Sequence, residues 1–295
     1  MIIQSYTKAE NLAEVEALLG IYQEQAVCIC GATDFIITQH TDISKSVCDC
    51  IDISAVEALQ LITEEDGIIS IGAAVKLADI ACCGMVKNHA LILDQAAGQV
   101  GSPQIRNRAS LGGNIITAAQ CADTIPVLLA LDAVLHIRRV DGAMRMVQLE
   151  DFFPGPKKTD LKKGELLTSI SFPSLKAGGF SGVFYKLIRR EAVAKSRLNF
   201  ALIMQISDVS TVLDVRISIG AALSTPGRFS PVEQFLKGKK VSQEIFKQAS
   251  EQCAEYVLAS TGVRWSTPYK QPVIRDVMYS LLCECAGIKE QLHGK

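Results

Sequence analysis

Two polar stretches hold the residue types that could do chemistry in this chain. The longer one runs over residues 101–114 and contains Arg106, Asn107, Ser110, the paired glycines Gly112 and Gly113, and Asn114. The shorter one, Cys30-Gly31-Ala32-Thr33-Asp34, lies upstream at the end of a short apolar run, residues 27–30. Paired small residues let a backbone approach a ligand closely and adopt positive φ without steric cost. Successive N–H groups in such a bend form a concave anion site, suited to a phosphate or a diphosphate. Gly-Gly alone reads equally as a tight turn between core elements. It is the matching upstream bend, with a Thr hydroxyl beside it, that favours a shared ligand. Asp34 either caps its own turn or accepts a ligand hydroxyl.

Other chemistries find no support. The chain lacks a G-x-G-x-x-G fingerprint, a phosphate-binding P-loop, an H-E-x-x-H helix and a G-x-S-x-G elbow. His40, His89, His136 and His293 are scattered, and no nucleophile–base set stands out by spacing, so no catalytic residue is assigned. The ten cysteines include Cys28/Cys30, Cys48/Cys50 and Cys283/Cys285 but no C-x-x-C pair. Residues i and i+2 of a strand share a face, and a free cysteine behaves as a small hydrophobe. These thiols therefore read as packing in a reducing compartment, with no metal site.

The elements that must position the two bends follow from patterning. With 295 residues and 48% hydrophobic content, the chain can bury two domain cores. Thr7-x-x-Glu10 reads as a capping box opening a helix with Leu12, Val15, Leu18 and Leu19 on one face. Short strands are expected at 27–30 and 35–37, flanking the first bend, and another at 47–53 closing a small lobe. A new sheet should begin at 68–72, with helices at 77–83 and near 91–100. Asp141-Gly142 between apolar runs predicts a hairpin, and residues 165–172 alternate as a half-buried strand. The small-residue stretch 173–179 is the expected boundary. Beyond it, runs at 183–188, 200–207 and 212–222 predict an antiparallel meander, with a basic connection at 189–197. Two helices end the chain, one capped by Ser242 and the other carrying Val277, Met278, Leu281, Leu282 and Cys285.

Thirty Lys+Arg against 31 Asp+Glu leave a net charge of −1, which attracts neither nucleic acid nor an anionic membrane. There is no long apolar run and no leader pattern at Met1, so a cytoplasmic protein without a membrane span is expected.

The two bends, their order and the tail resemble the FAD-binding medium subunits of the molybdenum hydroxylases, the xanthine dehydrogenase and carbon monoxide dehydrogenase family. Family members end a strand in Ala-Gly-Gly-Thr-Asp, where this chain has Cys30-Gly31-Ala32-Thr33-Asp34. Their second signature runs Arg-Asn-x-x-Thr-x-Gly-Gly-Asn-Ile, then Ala-Ser-Pro-x-x-Asp-x-x-Pro. Here it is Arg106-Asn107, Ser110, Gly112-Gly113-Asn114-Ile115, and later Asp123 and Pro126. The strand at 165–172, the segment Phe184-Tyr185-Lys186 and the stretch 266–270 resemble later family motifs, so the likeness spans nearly the whole chain.

That resemblance implies an α+β fold. A two-lobed, vanillyl-alcohol-oxidase-type (PCMH-type) FAD-binding domain would occupy 1–174, with lobes of about 1–55 and 56–174. A small antiparallel sheet with a helix bundle would occupy 175–295. It further implies that Val27, Cys28, Ile29, Cys30, Gly31, Ala32, Thr33 and Asp34 cradle the FAD diphosphate. Ile105, Ala109, Ser110, Leu111, Gly112, Gly113, Asn114, Ala119 and Asp123 would close over the diphosphate and the ribityl end, with Leu166 and Lys186 beside the isoalloxazine. A large molybdenum-cofactor subunit and a small subunit with 2Fe-2S clusters would be the partners, in an assembly of heterotrimers. Electrons would pass from the clusters to the flavin, and on to NAD or another acceptor. The alternatives are a flavin-poor scaffold joining the two partners and a stand-alone flavin oxidase. Three departures stand out: Ala32 replaces a glycine, Ala119-Gln120 replaces Ser-Pro, and Lys195 and Arg197 replace apolar residues. The last implies an altered acceptor site, open to an acidic carrier such as ferredoxin.

Overall fold

The structure is a computed structural model that describes residues 2–41, 47–189 and 195–288. Three sheets follow one another along the chain. The first has strands β1 (Ile2–Lys8), β2 (Ala26–Ile29) and β3 (Val47–Asp52), all parallel in the order β1-β3-β2. Parallel neighbours need crossovers. Helix α1 (Leu12–Tyr22) provides the first and buries Val15 and Leu19, and α2 (Phe35–Thr41) lies on the second.

The helix over Leu12–Tyr22 does not start at Thr7, which belongs to β1. Pairing of β1 with β3 claims that residue, and the cap moves to Asn11. Its side chain accepts the Glu14 N–H at 3.0 Å, and the Glu14 carboxylate accepts the Glu10 N–H at 2.8 Å. The strand expected at 35–37 is also overturned. Ile36 N–H donates to Ala32 C=O and Thr38 N–H to Asp34 C=O, so the chain leaves the first bend as a helical turn.

The second sheet is antiparallel throughout, in the order β4-β5-β8-β6-β7. Its strands are β4 (Ile62–Glu65), β5 (Ile68–Gly72), β6 (Val134–Arg139), β7 (Met144–Gln148) and β8 (Glu165–Pro173). It begins one strand earlier than expected, because Asp66-Gly67, both at positive φ, makes a hairpin of β4 and β5. Between β5 and β6 lie α3 (Leu77–Ile80), α4 (Gly84–His89), α5 (Leu91–Gly98), α6 (Pro103–Arg106), α7 (Leu111–Thr117) and α8 (Thr124–Ala130). Every residue of α8 is buried.

The third sheet is the expected meander, β9 (Ser181–Leu187), β10 (Leu198–Ile206) and β11 (Val212–Gly220). Residues 190–194 of the basic connection lie outside the described residues. Helix α9 (Ser230–Leu236), which the sequence reading passed over, precedes α10 (Gln243–Thr261) and α11 (Thr267–Cys285). Strand β10 is apolar nearly throughout because both its faces are covered. Leu198, Phe200, Leu202 and Met204 join the cluster built on α10 and α11, whereas Ala201 and Ile203 join the cluster that holds α5 and α8. Successive side chains of a strand point to opposite faces, so Asn199 shares the α8 side with Ala201. Among the described residues no helix is long and apolar enough to cross a membrane.

Candidate functional site

The two bends meet backbone to backbone. A methyl group built on Gly31 would lie 2.0 Å from the Arg108 carbonyl oxygen and 2.9 Å from the Ala109 nitrogen. Contact that close excludes any side chain at position 31, while φ there is unexceptional. The neighbouring Cys30 thiol donates to Ala74 C=O at 3.8 Å, tying the first bend to the loop after β5.

Their backbone donors differ sharply. In the second bend the Leu111 N–H donates to Val75 C=O at 3.0 Å and the Gly112 N–H to Ala73 C=O at 2.9 Å. Gly113 N–H donates to Ser110 Oγ at 3.1 Å, and Asn114 N–H to Ser110 C=O at 3.0 Å. Those groups build helix α7 and anchor it to the loop after β5. In the first bend the N–H groups of Gly31, Ala32, Thr33 and Asp34 find no acceptor among the described residues. Ala32 sits at φ +54°, so the chain reverses hand within this run of donors. A change of hand of this kind is what turns successive N–H groups toward one point in an anion nest. A left-handed φ at alanine costs about 1–2 kcal/mol, which the surrounding contacts must hold in place.

The sequence placed both glycines of the second bend around a ligand. Gly112 is instead buried against Ala73, whose Cβ would be 2.7 Å from an added methyl, while Gly113 is exposed. Asn114 Oδ1 accepts the buried Thr124 hydroxyl at 2.7 Å, tying α7 to α8. Ile105 lies on α6, its carbonyl accepting the Ala109 N–H at 2.7 Å. Ala119 lines a hollow against Gly220 and Ala221. Leu166 is buried in the small-lobe cluster against which Cys28 and Cys30 pack. Burial pushes the Cys28 thiol up to about 12 and raises Cys30 as well, although a hydrogen bond with Ser110 opposes the latter. Both are protonated near neutrality and present no thiolate. Among the described residues, no group of three His, Cys, Asp or Glu side chains could hold a metal ion.

A second polar centre joins the third sheet to α8. Strand parity puts Lys186 on the same face as Phe184, and Lys186 pairs across the sheet with Asn199. Lys186 Nζ lies 2.6 Å from Asp123 Oδ2 and donates to Gln99 C=O at 2.6 Å. Asn199 Nδ2 donates to Asp123 Oδ1 at 2.8 Å and to Ala122 C=O at 3.1 Å. The Ser196 hydroxyl also donates to Asp123 Oδ1. The side chains of Lys186 and Asp123 are 4% and 6% exposed, so two charges are held almost out of water. Such a pair is tolerable only with the remaining lone pairs satisfied, which Ser196 and Asn199 do. The sequence expectation put Asp123 near the ribityl end and Lys186 beside the isoalloxazine; the structure pairs them with each other, and Gln99, Ser196 and Asn199, which that expectation did not include, complete the cluster. The readable signal was an asparagine inside an otherwise apolar strand, Leu198–Ile206.

Comparison with known proteins identifies the family. Residues 2–175 match the model for the FAD binding domain in molybdopterin dehydrogenase, and residues 183–285 match the CO dehydrogenase flavoprotein C-terminal domain. The chain belongs to the FAD-binding subunits of the molybdenum hydroxylases. Similar members of this oxidoreductase family include the nicotinate dehydrogenase FAD-subunit of Eubacterium barkeri. It is 28% identical over 289 residues, covering 97% of this chain and 96% of the relative. The xanthine dehydrogenase FAD-binding subunit of Escherichia coli O157:H7 is also 28% identical, covering 96% of each chain. Among solved structures, carbon monoxide dehydrogenase from Hydrogenophaga pseudoflava superposes with a TM-score of 0.86 at 24% identity, covering 96% of each chain. At that identity the superposition speaks for the shared fold. The two-lobed α+β architecture and its C-terminal sheet with helices are thus those of the molybdenum-hydroxylase flavin subunits.

Proposed function

We propose that this chain carries FAD and serves as the electron-transfer subunit of a molybdenum hydroxylase complex. The observation that carries the reading is the junction of Gly31 with Arg108 and Ala109, beside four N–H groups that find no acceptor among the described residues. An FAD diphosphate fits that nest: it is anionic, it brings several acceptor oxygens, and the Thr33 hydroxyl stands in the same bend. Val27, Cys28 and Ile29 of β2 aim the nest, Cys30 opens the bend after them, and Asp34 ends it. Ala109, Ser110, Leu111, Gly112 and Gly113 wall the opposite side as a rigid helix start, with Ile105 behind them. Asn114, Ala119, Asp123 and Lys186 lead from there toward the third sheet. Leu166 backs the first bend from within the core. In this division 1–174 form the FAD-binding part and 175–295 the C-terminal part.

Bound FAD would supply the exchange between single electrons and a two-electron acceptor, so no side chain need act as acid or base. The protein's share is placement and access. A large molybdenum-cofactor subunit and a small subunit with 2Fe-2S clusters are the partners, supported by the medium-subunit names of the relatives. NAD or an acidic carrier takes the electrons, and Lys195 and Arg197 favour the carrier. The cytoplasm is the compartment in keeping with ten cysteines that form no disulfide among the described residues.

The test is direct. The purified chain should be yellow and release one FAD on denaturation, and Gly31→Leu should be colourless. A colourless wild-type chain that still captures both partner subunits would support the scaffold reading instead. Bleaching of the flavin absorbance by NADH in the complex separates NAD from a protein acceptor.

A further inference from the structure

Arg264 and Lys270 line one hollow beside the end of β11, and the charge of Arg197 is felt at Lys270. Lys270, on α11, donates its ammonium to Ala221 C=O at 2.5 Å and is partly buried. Arg197 precedes β10, and Arg264 lies in the turn joining α10 to α11. Burial, with the charges of Arg264 and Arg197 added, holds the Lys270 ammonium below the ordinary lysine range. Among the described residues, no carboxylate forms an ion pair with any of the three. Elsewhere the cations Arg145, Arg216 and Arg228 each have acidic partners. Like charges gathered at a partly desolvated spot repel one another unless an anion joins them.

The space for one is beside them. A shallow, open hollow is lined on its polar side by Thr261, Arg264, Ser266, Thr267, Lys270 and Gln271. Its donors are cationic, hydroxyl and amide groups, and it contains no acidic side chain. We propose that this hollow binds a phosphate group, with Arg264 and Lys270 as its charged ligands and Arg197 at its edge. Phosphate suits the set better than a carboxylate, because several acceptor oxygens can meet arginine, lysine and hydroxyl donors at once. In sequence Trp265, 90% exposed, falls between the lining residues Arg264 and Ser266, and Tyr269, 48% exposed, precedes Lys270. Exposed aromatic rings so near the charged ligands in sequence would favour a phosphorylated aromatic, such as a nucleotide, over free phosphate. The site is separate from the nest at Gly31 and does not rest on the flavin reading.

Trp265 is the chain's sole tryptophan, so its emission reports on this spot. The full 295-residue chain is titrated at low salt with inorganic pyrophosphate and with ADP, against sodium chloride of equal ionic strength. Calorimetry run in parallel reads any binding that leaves the indole undisturbed. A saturable signal with pyrophosphate is expected, weakened at least about ten-fold, or 1.4 kcal/mol, in Arg264→Gln. ADP binding tighter than pyrophosphate by a similar factor points to a nucleotide, and equal affinity points to free phosphate. FAD content should be the same in Arg264→Gln and wild type, which separates this site from the flavin's. No saturable binding by either method overturns the proposal. So does a response matched by sodium chloride, binding of ADP alone, or unchanged affinity in Arg264→Gln with a native circular dichroism spectrum.

Discussion

Lys186 and Asp123 meet 2.6 Å apart with both side chains nearly out of water, one on the C-terminal sheet and the other at the start of α8. Breaking a buried pair by removing one partner leaves an uncompensated charge, at a cost of about 3–5 kcal/mol. Lys186→Met should therefore destabilise the chain by roughly that amount in urea unfolding. Lys186→Met combined with Asp123→Leu should recover much of the loss, because no charge is left stranded. A double variant no more stable than Lys186→Met alone would show that the aspartate is held by Ser196 and Asn199 independently of the lysine.

Gly31 and Ala32 make opposite predictions although they are neighbours. Ala32→Gly relieves a left-handed φ and should stabilise the chain by about 0.5–1 kcal/mol after the added freedom of the unfolded glycine is subtracted. Gly31→Ala drives a methyl into the Arg108 carbonyl, and backbone at 2.0 Å cannot swing away as a side chain could. It should separate the two bends and lower both stability and FAD content. Thermal melts with the released flavin measured alongside read both effects.

How far the sequence foretold this arrangement depends on the range of the interactions involved. The meander, the Asp141-Gly142 hairpin and the Ser242 cap are local, and each was legible. Asp66-Gly67 carries the same hairpin signal, yet β4 was passed over because its residues Ile62–Glu65 are mostly exposed and polar. Thr7 and Asn11 both fit a capping pattern, and only pairing of β1 with a strand forty residues on decides between them. At the site, the small residues were legible, but their division of labour was not. Gly112 looks like a ligand glycine until Ala73 is seen against it, and Asn199 gains its role only when β10 is laid beside α8.

Acid should weaken the fold at one identifiable place. Arg145 spans Glu165 and Asp160, with Nη2 2.8 Å from the first and Nη1 2.9 Å from the second. Burial pushes the Glu165 carboxyl up, but hydrogen bonds from Arg145 and the Lys162 N–H outweigh it and hold the group below the usual range. Hydrogen bonds from Lys162 and Arg145 do the same for Asp160. Carboxyls depressed in the folded state stabilise it fully above their unfolded pKa of about 4, and that stability is lost as pH falls through the lower folded values. Urea midpoints measured from pH 6 to pH 3 should fall more steeply for wild type than for Arg145→Gln. Parallel curves would remove this triad from the account.

The thiols offer a check on packing that needs no cofactor. Burial pushes Cys285 up to about 12 and raises Cys253 further, and Cys50 also reaches about 12 through burial and its neighbour Cys48. A thiol attacks as its thiolate, so these groups should be inert at pH 8 while the chain stays folded. Cys82 is exposed and should react first with iodoacetamide, followed by the half-buried Cys83 and Cys121. Intact-mass and peptide analysis over time should show early single adducts on Cys82, and adducts on Cys253 only at the rate of global unfolding. Labelling of Cys253 in step with Cys82 would mean that the cluster under α10 and α11 opens readily. The Cys253→Ala variant should then cost next to nothing, whereas a tightly packed thiol should cost about 1 kcal/mol through the lost sulfur contacts.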